Sequence, residues 1–359
     1  MVNCQLNLLF SIQVFVVLMY FRIFLVIGKP QVPCYFIFGD SLVDSGNNNQ
    51  LVTTIKANYP PYGADFAQGV TGRFTNGRTI ADIIGELLGF NEYMPTYASI
   101  IDDQQITRGV NYGSGGSGIR EETGSHMGDR ISLGNQLKNH HTIVSRIFHL
   151  QQNTTFTKEY LRKCIYIVNI GSNDYINNYL KPNIYATSHM YTTYQYANIL
   201  LRQYSRHLQR LYDLDARKIA VFGLGQIGCT PAEISIFGTN NELCVGSINE
   251  AVNQFNRKLK PLVDELNSNN PDSKFTFINL TSIALQQQGL GFTYVPCCIL
   301  REDAQCAQSI ILCPVRDSSF YYDGFHLTEV ANNIAARSSY VAVKPTDASP
   351  YDIRQLVRF

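Results

Sequence analysis

The chain has 359 residues, 45% of them hydrophobic and only 16% charged, with a formal net charge of +1. This describes a compact globular protein with a sizeable core, and it gives no electrostatic reason to expect a nucleic-acid partner. Aromatic residues make up 12% of the chain without a single Trp, and the 22 Tyr suit a surface that meets sugars or acyl chains.

From Leu6 to Ile27 the chain is mostly Leu, Val, Ile and Phe, broken by Asn7, Ser11, Gln13 and Arg22. Val26-Ile27-Gly28 then offers tolerated residues at the −3 and −1 positions of a signal-peptidase site. Residues 1–28 are therefore read as a cleaved secretory signal. The alternative is a retained anchor, which Arg22 disfavours. The remaining 29–359 carry no net charge and read as a single domain.

The first strand is predicted at Tyr35–Phe38 and runs into Gly39-Asp40-Ser41-Leu42. A hydroxyl at the end of a buried strand, where a turn opens towards a helix, is exposed and faces free N–H groups. Those are the needs of a serine nucleophile, although Gly-Asp-Ser alone is more often a plain turn. Thr79–Leu88 places Ile80, Ile83, Ile84, Leu87 and Leu88 on one helical face, with Gly89 as its stop. Gly46–Asn49 and Asn111–Gly118 read as loops. Leu133–Leu150 is an amphipathic helix.

A second strand is predicted at Cys164–Ile170, with Tyr160-Leu161 as its lead-in, followed by Gly171-Ser172-Asn173-Asp174. Thr192–Tyr212 is a helix with an Ala197, Leu201, Tyr204, Leu208, Leu211 stripe. Strands at Lys218–Phe222 and Lys274–Asn279 flank the helix Ser247–Asn267. That helix is predicted to open on a Ser247-x-x-Glu250 capping box and to kink at Pro261. Alternating apolar runs and helices indicate a mostly parallel sheet covered on both faces, with ligands at the strands' C-terminal edge.

Near the C-terminus, Asp323-Gly324-Phe325-His326 precedes the helical run Leu327–Arg337. An ester hydrolase needs a nucleophile, a base, a group that orients the base, and oxyanion donors. The spacing lets the Asp323 carboxylate reach Nδ1 of His326 while Nε2 faces Ser41. His326 is thus the candidate base. Asn173 is the candidate side-chain donor to the oxyanion, and Asp174 a tie within its loop. In isolation, a helix cap would be the commoner reading of Asp323/His326 and a turn that of Asn173. The remaining histidines, His140 among them, read as structural.

Gly223-x-Gly225-x-x-Gly228 and Gly113-x-Gly115-x-x-Gly118 fit the dinucleotide fingerprint in spacing only. The first runs into Cys229-Thr-Pro231 instead of a helix start, and the second lacks a clear preceding strand, so no cofactor is expected. There is no Gly-x-Ser-x-Gly elbow, His-Glu-x-x-His or Walker loop. Beyond Cys4 the chain has an even eight cysteines, which in a secreted protein read as disulfides. The adjacent Cys297-Cys298 do not suit zinc, and no metal is expected. The sequons at Asn153 and Asn279 are candidate glycosylation sites.

Taken together these blocks resemble the GDSL esterase/lipase family of the SGNH hydrolases, in its plant-type secreted branch. The matching stretches are Phe38–Asp44 with Gly46-Asn47, Gly72-Arg-Phe74 with Asn76-Gly77, and Gly109-Val-Asn-Tyr112 with Gly118. Asn169–Asp174, Gly228-Cys-Thr-Pro231 and Asp323–His326 complete the set. The resemblance implies a flavodoxin-like three-layer α/β/α sandwich on about five parallel strands. It makes Ser41 the nucleophile, His326 the base and Asp323 its partner. The oxyanion hole would comprise the Ser41 N–H, Asn173 and Gly118, with Gly115 and Gly116 as alternatives in the same loop.

The chain departs from the family pattern at Leu327, Tyr322, Ile299 and Gly113, none of them a proposed catalytic residue. In this fold Cys229 can pair with Cys244, Cys297/Cys298 with Cys306/Cys313, and Cys34 with Cys164 across neighbouring strands. The implied protein is a monomeric, extracellular (apoplastic or wall-bound) ester hydrolase without a membrane span. The alternatives are an acyltransferase using the same residues and a catalytically weak glycan-binding glycoprotein.

Overall fold

The computed structural model describes residues 29–239, 241–287 and 290–359; the segment read as a signal, 1–28, lies outside them. Strands β1 (Tyr35–Gly39), β2 (Ile165–Asn169), β3 (Lys218–Phe222) and β4 (Lys274–Ile278) pair in parallel, in that order. A two-residue strand β5 (Ala348–Ser349) closes the β4 edge antiparallel. Along the other edge, the extended segment 108–114 hydrogen-bonds to β1 through the Tyr35, Ile37, Tyr112 and Ser114 N–H groups. Counting that segment, the sheet has the flavodoxin-like order 2-1-3-4-5. Gly109 makes the close approach possible: its φ is +126°, and a Cβ there would lie 1.9 Å from the Tyr35 carbonyl oxygen.

The strands are apolar at nearly every position because both sheet faces are covered. Phe36, Phe38, Tyr166, Val168, Ile219 and Val221 belong to one core. Its helices are α2 (Leu133–Gln151), α4 (Thr193–Asp213) and α6 (Gly246–Asn269). Tyr35, Ile37, Ile165, Ile167, Ala220 and Phe222 face the other core, beneath α1 (Ile80–Leu87) and α8 (Glu329–Tyr340). Three further helices complete the numbering: α3 (Thr154–Lys163), α5 (Pro231–Phe237) and α7 (Leu280–Leu285).

Several local expectations need correction. Tyr160-Leu161 do not lead into β2. They lie in α3, whose N-cap is Asn153, so a capped helix reaches the strand directly. Ser247 does not cap α6, which starts one residue earlier at Gly246 and has no side-chain cap. Pro261 lies inside that helix, which continues to Asn269; the missing N–H is outweighed by the buried stripe on either side. The capping boxes are instead Thr79 with Asp82 on α1, Thr192 with Gln195 on α4, and Asp352 with Gln355 at the short C-terminal helix Ile353–Leu356.

All eight cysteines of 29–359 are paired: Cys34–Cys164, Cys229–Cys244, Cys297–Cys313 and Cys298–Cys306. Among the described residues no helix is long and apolar enough to cross a membrane.

His140 on α2 is fully buried among Phe36, Phe38 and Tyr112, with Nδ1 3.0 Å from the Tyr112 hydroxyl. Burial, helped by the neighbouring His141, pushes its pKa down from 6.5 to about 3. The unfolded chain therefore takes up this proton below pH ~6.5 while the folded chain refuses it. Stability is then lost as pH falls through that window, by up to ~1.4 kcal/mol per pH unit from this group. His140→Gln keeps a partner for Tyr112 and removes the titration. Urea melts at pH 4.5, 5.5 and 7 should show a shallower acid-side loss in the variant than in the parent.

Candidate active site

β1 stops at Gly39, where a Cβ would sit 2.3 Å from the Asn169 carbonyl oxygen and 2.6 Å from Val43. Gln136 of α2 clamps the Gly39 peptide from both sides, accepting from its N–H at 2.9 Å and donating to its carbonyl at 2.8 Å. The helix expected after Ser41 is reduced to a tight turn, in which Val43 and Asp44 N–H donate to the Asp40 carbonyl, and a 3-10 turn at Asn47–Gln50. The Asp40 carboxylate closes that turn by accepting from Leu42 N–H at 3.0 Å. Burial pushes Asp40 up to about 7, with the Leu42 N–H and His326 acting in the opposite sense.

Ser41 stands at the tip of this turn, half-exposed. Its hydroxyl lies 2.7 Å from Nε2 of His326, and Nδ1 of the same ring lies 2.7 Å from Oδ2 of Asp323. A carboxylate only accepts, so the ring proton sits on Nδ1 and Nε2 is the free acceptor towards Ser41. Asp323 is fully buried and accepts two further bonds on Oδ1, from Phe325 and His326 N–H, both at 2.8 Å. Tyr62 adds a fourth, donating to Oδ2 at 2.7 Å. Burial, and the Asp323 charge after it, raise the Tyr62 phenol well above its ordinary pKa, so it remains a donor.

The stretch 72–77 supports this constellation. Phe74 lies against the His326 ring, with centroids 4.9 Å apart. Thr75 donates to the Leu327 carbonyl at 2.8 Å, and Asn76 Oδ1 accepts from Glu329 N–H at 2.8 Å, fixing the start of α8. Arg73 is buried in a two-pronged pair with Asp82, which itself completes the α1 cap.

Asn173 follows β2 on the same sheet edge. Its Nδ2 donates to the Ser117 carbonyl at 3.0 Å, and its Oδ1 accepts from Asn177 at 2.7 Å. Those bonds orient the amide and leave its second hydrogen without a protein acceptor among the described residues. Asp174 ties the neighbouring loop, accepting from Ile119 and Arg120 N–H and from the Thr123 hydroxyl; burial raises it to about 6.

Of the three glycines left open in the 111–118 loop, Gly116 lines the cleft with Ser41, Asn173 and His326. Gly118 instead has the Asp174 carboxylate behind it, 2.7 Å from where a Cβ would be. Among the described residues, the Ser41, Gly116 and Gly118 N–H groups donate to no protein acceptor. The loop is fastened to the nucleophile turn by Asp44, which accepts from Gly115 N–H at 3.0 Å, and by Asn48, which donates to the Gly115 carbonyl at 3.0 Å.

The cleft encloses about 350 Å³. The loop Gly225–Ile227 lines it, and Asn256 pins the preceding Leu224 through both its N–H and its carbonyl, each at 2.8 Å. No group of three His, Cys, Asp or Glu side chains suited to a metal occurs among the described residues. Of the sequons, Asn153 is exposed, whereas Asn279 is half-buried as the N-cap of α7, with Nδ2 donating to the Thr346 carbonyl.

Tyr62, Phe74 and Gln136 were not given a role from the sequence, and Gly116 was named only as an alternative to Gly118. Phe74 lay inside a marked stretch and Gln136 inside a predicted helix.

A Ser–His–Asp line at the C-terminal edge of a three-layer α/β/α sheet is the arrangement of a serine hydrolase. The sequence matches the GDSL-like Lipase/Acylhydrolase family over residues 35–338. Among curated proteins, three GDSL esterase/lipases of Arabidopsis thaliana are 45%, 44% and 44% identical to it. The alignments cover 92%, 91% and 92% of this chain and 93%, 92% and 94% of those relatives. The chain therefore belongs to the GDSL-like lipase/acylhydrolase family and is a carboxylic ester hydrolase.

Proposed function

We propose that this protein hydrolyses carboxylic esters through an acyl-enzyme on Ser41, after cleavage of residues 1–28 and export of the single domain 29–359. The observation that carries the reading is the unbroken line from Ser41 Oγ through both nitrogens of His326 to Asp323, each step 2.7 Å. As Oγ attacks the carbonyl carbon, its proton passes to Nε2, and Asp323 stabilises the resulting imidazolium. The Ser41 N–H, the Gly116 N–H and the Asn173 amide receive the oxyanion. When the C–O bond breaks, Nε2 returns the proton to the departing alkoxide. A water then gives its proton to Nε2, attacks the acyl carbon and frees the acid, restoring Ser41.

Four disulfides support an oxidising, extracellular location. Asn153 is the better glycan acceptor, because it is exposed and its cap bond uses only Oδ1.

The test is labelling with a fluorophosphonate, which should modify Ser41 of the purified, folded protein and stop p-nitrophenyl acetate hydrolysis. Folded protein that neither labels nor hydrolyses would overturn the reading. Asn173→Ala should lower kcat by about 10²–10³ with little change in KM, since the donor acts on charge that develops only in the transition state. Steady-state kinetics on the same ester checks this; an equal loss carried by KM would assign Asn173 to ground-state binding.

A further inference from the structure

Asp323 and His326 are held by two segments that lie far from them in the chain. The first carries Tyr62, whose ring packs edge-on against Phe74 and Tyr322, centroids 5.9 Å away in each case, and against Tyr59 at 5.4 Å. The second is the loop 298–306, closed by the Cys298–Cys306 disulfide. Its Ala304 carbonyl accepts from Gly324 N–H at 2.9 Å, within the turn between Asp323 and His326. Its Cys306 carbonyl accepts from the Tyr59 hydroxyl at 2.8 Å, and Cys306 N–H donates to the Tyr62 hydroxyl at 3.0 Å. That bond occupies one lone pair of the phenol oxygen and directs its proton to Oδ2 of Asp323, 2.7 Å away. Nδ1 of His326 lies 2.7 Å from the same oxygen. Tyr62 and Asp323 are shut off from solvent, at 1% and 0% exposure.

We propose that Tyr62 is a positioning residue of the base: fixed by the disulfide-closed loop, its phenol holds Oδ2 of Asp323 in line with His326 and takes a share of that oxygen's charge. This rests on the ester-hydrolase reading above. The Phe325 and His326 N–H groups fix Oδ1, but a carboxylate held at one oxygen can still swing about it. The phenol fixes the other oxygen, and with it the ring whose Nε2 must stay aimed at Ser41. The sharing has a second consequence. Two donors divide the acceptor strength of Oδ2, so the imidazolium formed on proton transfer is held less tightly than by an unshared carboxylate. The other ionisable groups about the pair are Asp40 on the Ser41 side, Tyr59, Arg301 and Asp303 on the loop side, and Tyr322 with Asp65 and Arg316 beyond it. All of them stay in place when only the Tyr62 hydroxyl is removed.

Tyr62→Phe keeps the ring and deletes that hydroxyl. With p-nitrophenyl acetate it should lower kcat roughly tenfold and leave KM within about twofold, since the lost bond is to a charged group that acts on the base and not on the bound ester. The acid limb of kcat/KM, which reports protonation of the base, should move to higher pH by roughly half a unit, because the unshared carboxylate favours the charged ring. Some stability is lost as well, as Cys306 N–H is left without its acceptor, but a purely structural role would not move the limb.

Replacing Tyr62 by meta-fluorotyrosine, a stronger donor of nearly the same shape, should move the limb to lower pH. This second replacement decides the matter if thermal unfolding shows the phenylalanine variant not to be folded. An unmoved limb in folded protein, or a loss carried by KM, would overturn the positioning role. A parent protein that does not hydrolyse the ester at all would overturn the hydrolase reading instead.

Discussion

Ser41→Ala is expected to reduce kcat for p-nitrophenyl acetate by on the order of 10⁶ and to abolish fluorophosphonate labelling, while leaving the protein as stable as the parent. The size of the loss follows from the way the site is built. In the proposed mechanism His326 and Asp323 serve only to take a proton from Oγ, so without that oxygen both would be idle and the loss would equal that of the whole triad. The oxyanion donors persist, and a residual rate some 10³-fold above the uncatalysed reaction should survive. Stability should change by less than ~0.5 kcal/mol, because Ser41 is half-exposed and its turn is held by others. Asp40 closes the turn by accepting from Leu42 N–H, and Gln136 fixes the peptide of Gly39. Burst and steady-state kinetics on enzyme expressed without wild-type contamination measure the loss. A decrease of less than about a hundredfold would mean that another nucleophile carries the reaction.

The parts of this site that were legible in the sequence are those fixed by local chemistry. Strand ends are marked by apolar runs that stop at Gly39, Asn169 and Phe222, and the chain leaves each of them at the same sheet edge. Asp323 and His326 are three residues apart, so one short loop can make the carboxylate–imidazole bond without help from the rest of the fold. The long helices were visible from their apolar stripes, and two of them open on Thr caps, Thr79 and Thr192.

What was not legible depends on contacts distant in sequence. Tyr62 reaches Asp323 across 261 positions, and Gln136 reaches Gly39 across 97. Neither pairing leaves a local pattern. The Gly72-Arg-Phe-Thr-Asn76 stretch was marked by resemblance alone; its physical roles, a ring on the imidazole and two bonds that fix the start of α8, appear only in three dimensions. The sequence names Gly118 with Gly115 and Gly116 as alternatives; that Gly116 lines the cleft and Gly118 backs onto Asp174 is visible only in three dimensions, and it is the ground for proposing Gly116. The lead-in strand at Tyr160-Leu161 failed because the Asn153 cap starts a helix there, and the apolar pair fits a helical face as well as a strand.

Asp323→Asn should lower kcat by about 10⁴ with KM nearly unchanged, and the hydrogen bonds around Asp323 explain why an almost isosteric change is so damaging. Oδ1 accepts from two backbone N–H groups, those of Phe325 and His326. The asparagine must therefore present its oxygen there, since an amide NH₂ would oppose two fixed donors at a fully buried position. Its NH₂ is then forced into the Oδ2 position, facing Nδ1 of His326. Only the tautomer with its proton on Nε2 can accept from that NH₂, and this tautomer points N–H at Ser41 instead of a lone pair. The base is thus disabled by a proton on the wrong nitrogen, without displacement of the ring. Tyr62 can turn its hydroxyl to accept from the new amide, so the fold should hold. Asp323→Ala, by contrast, leaves both N–H groups and the phenol proton without an acceptor in a buried cavity and should unfold at visibly lower urea. Proton NMR of the imidazole in the asparagine variant should place the ring proton on Nε2. A resonance still on Nδ1, or a kcat within thirtyfold of the parent, would contradict the proposed role of Asp323 in holding the tautomer.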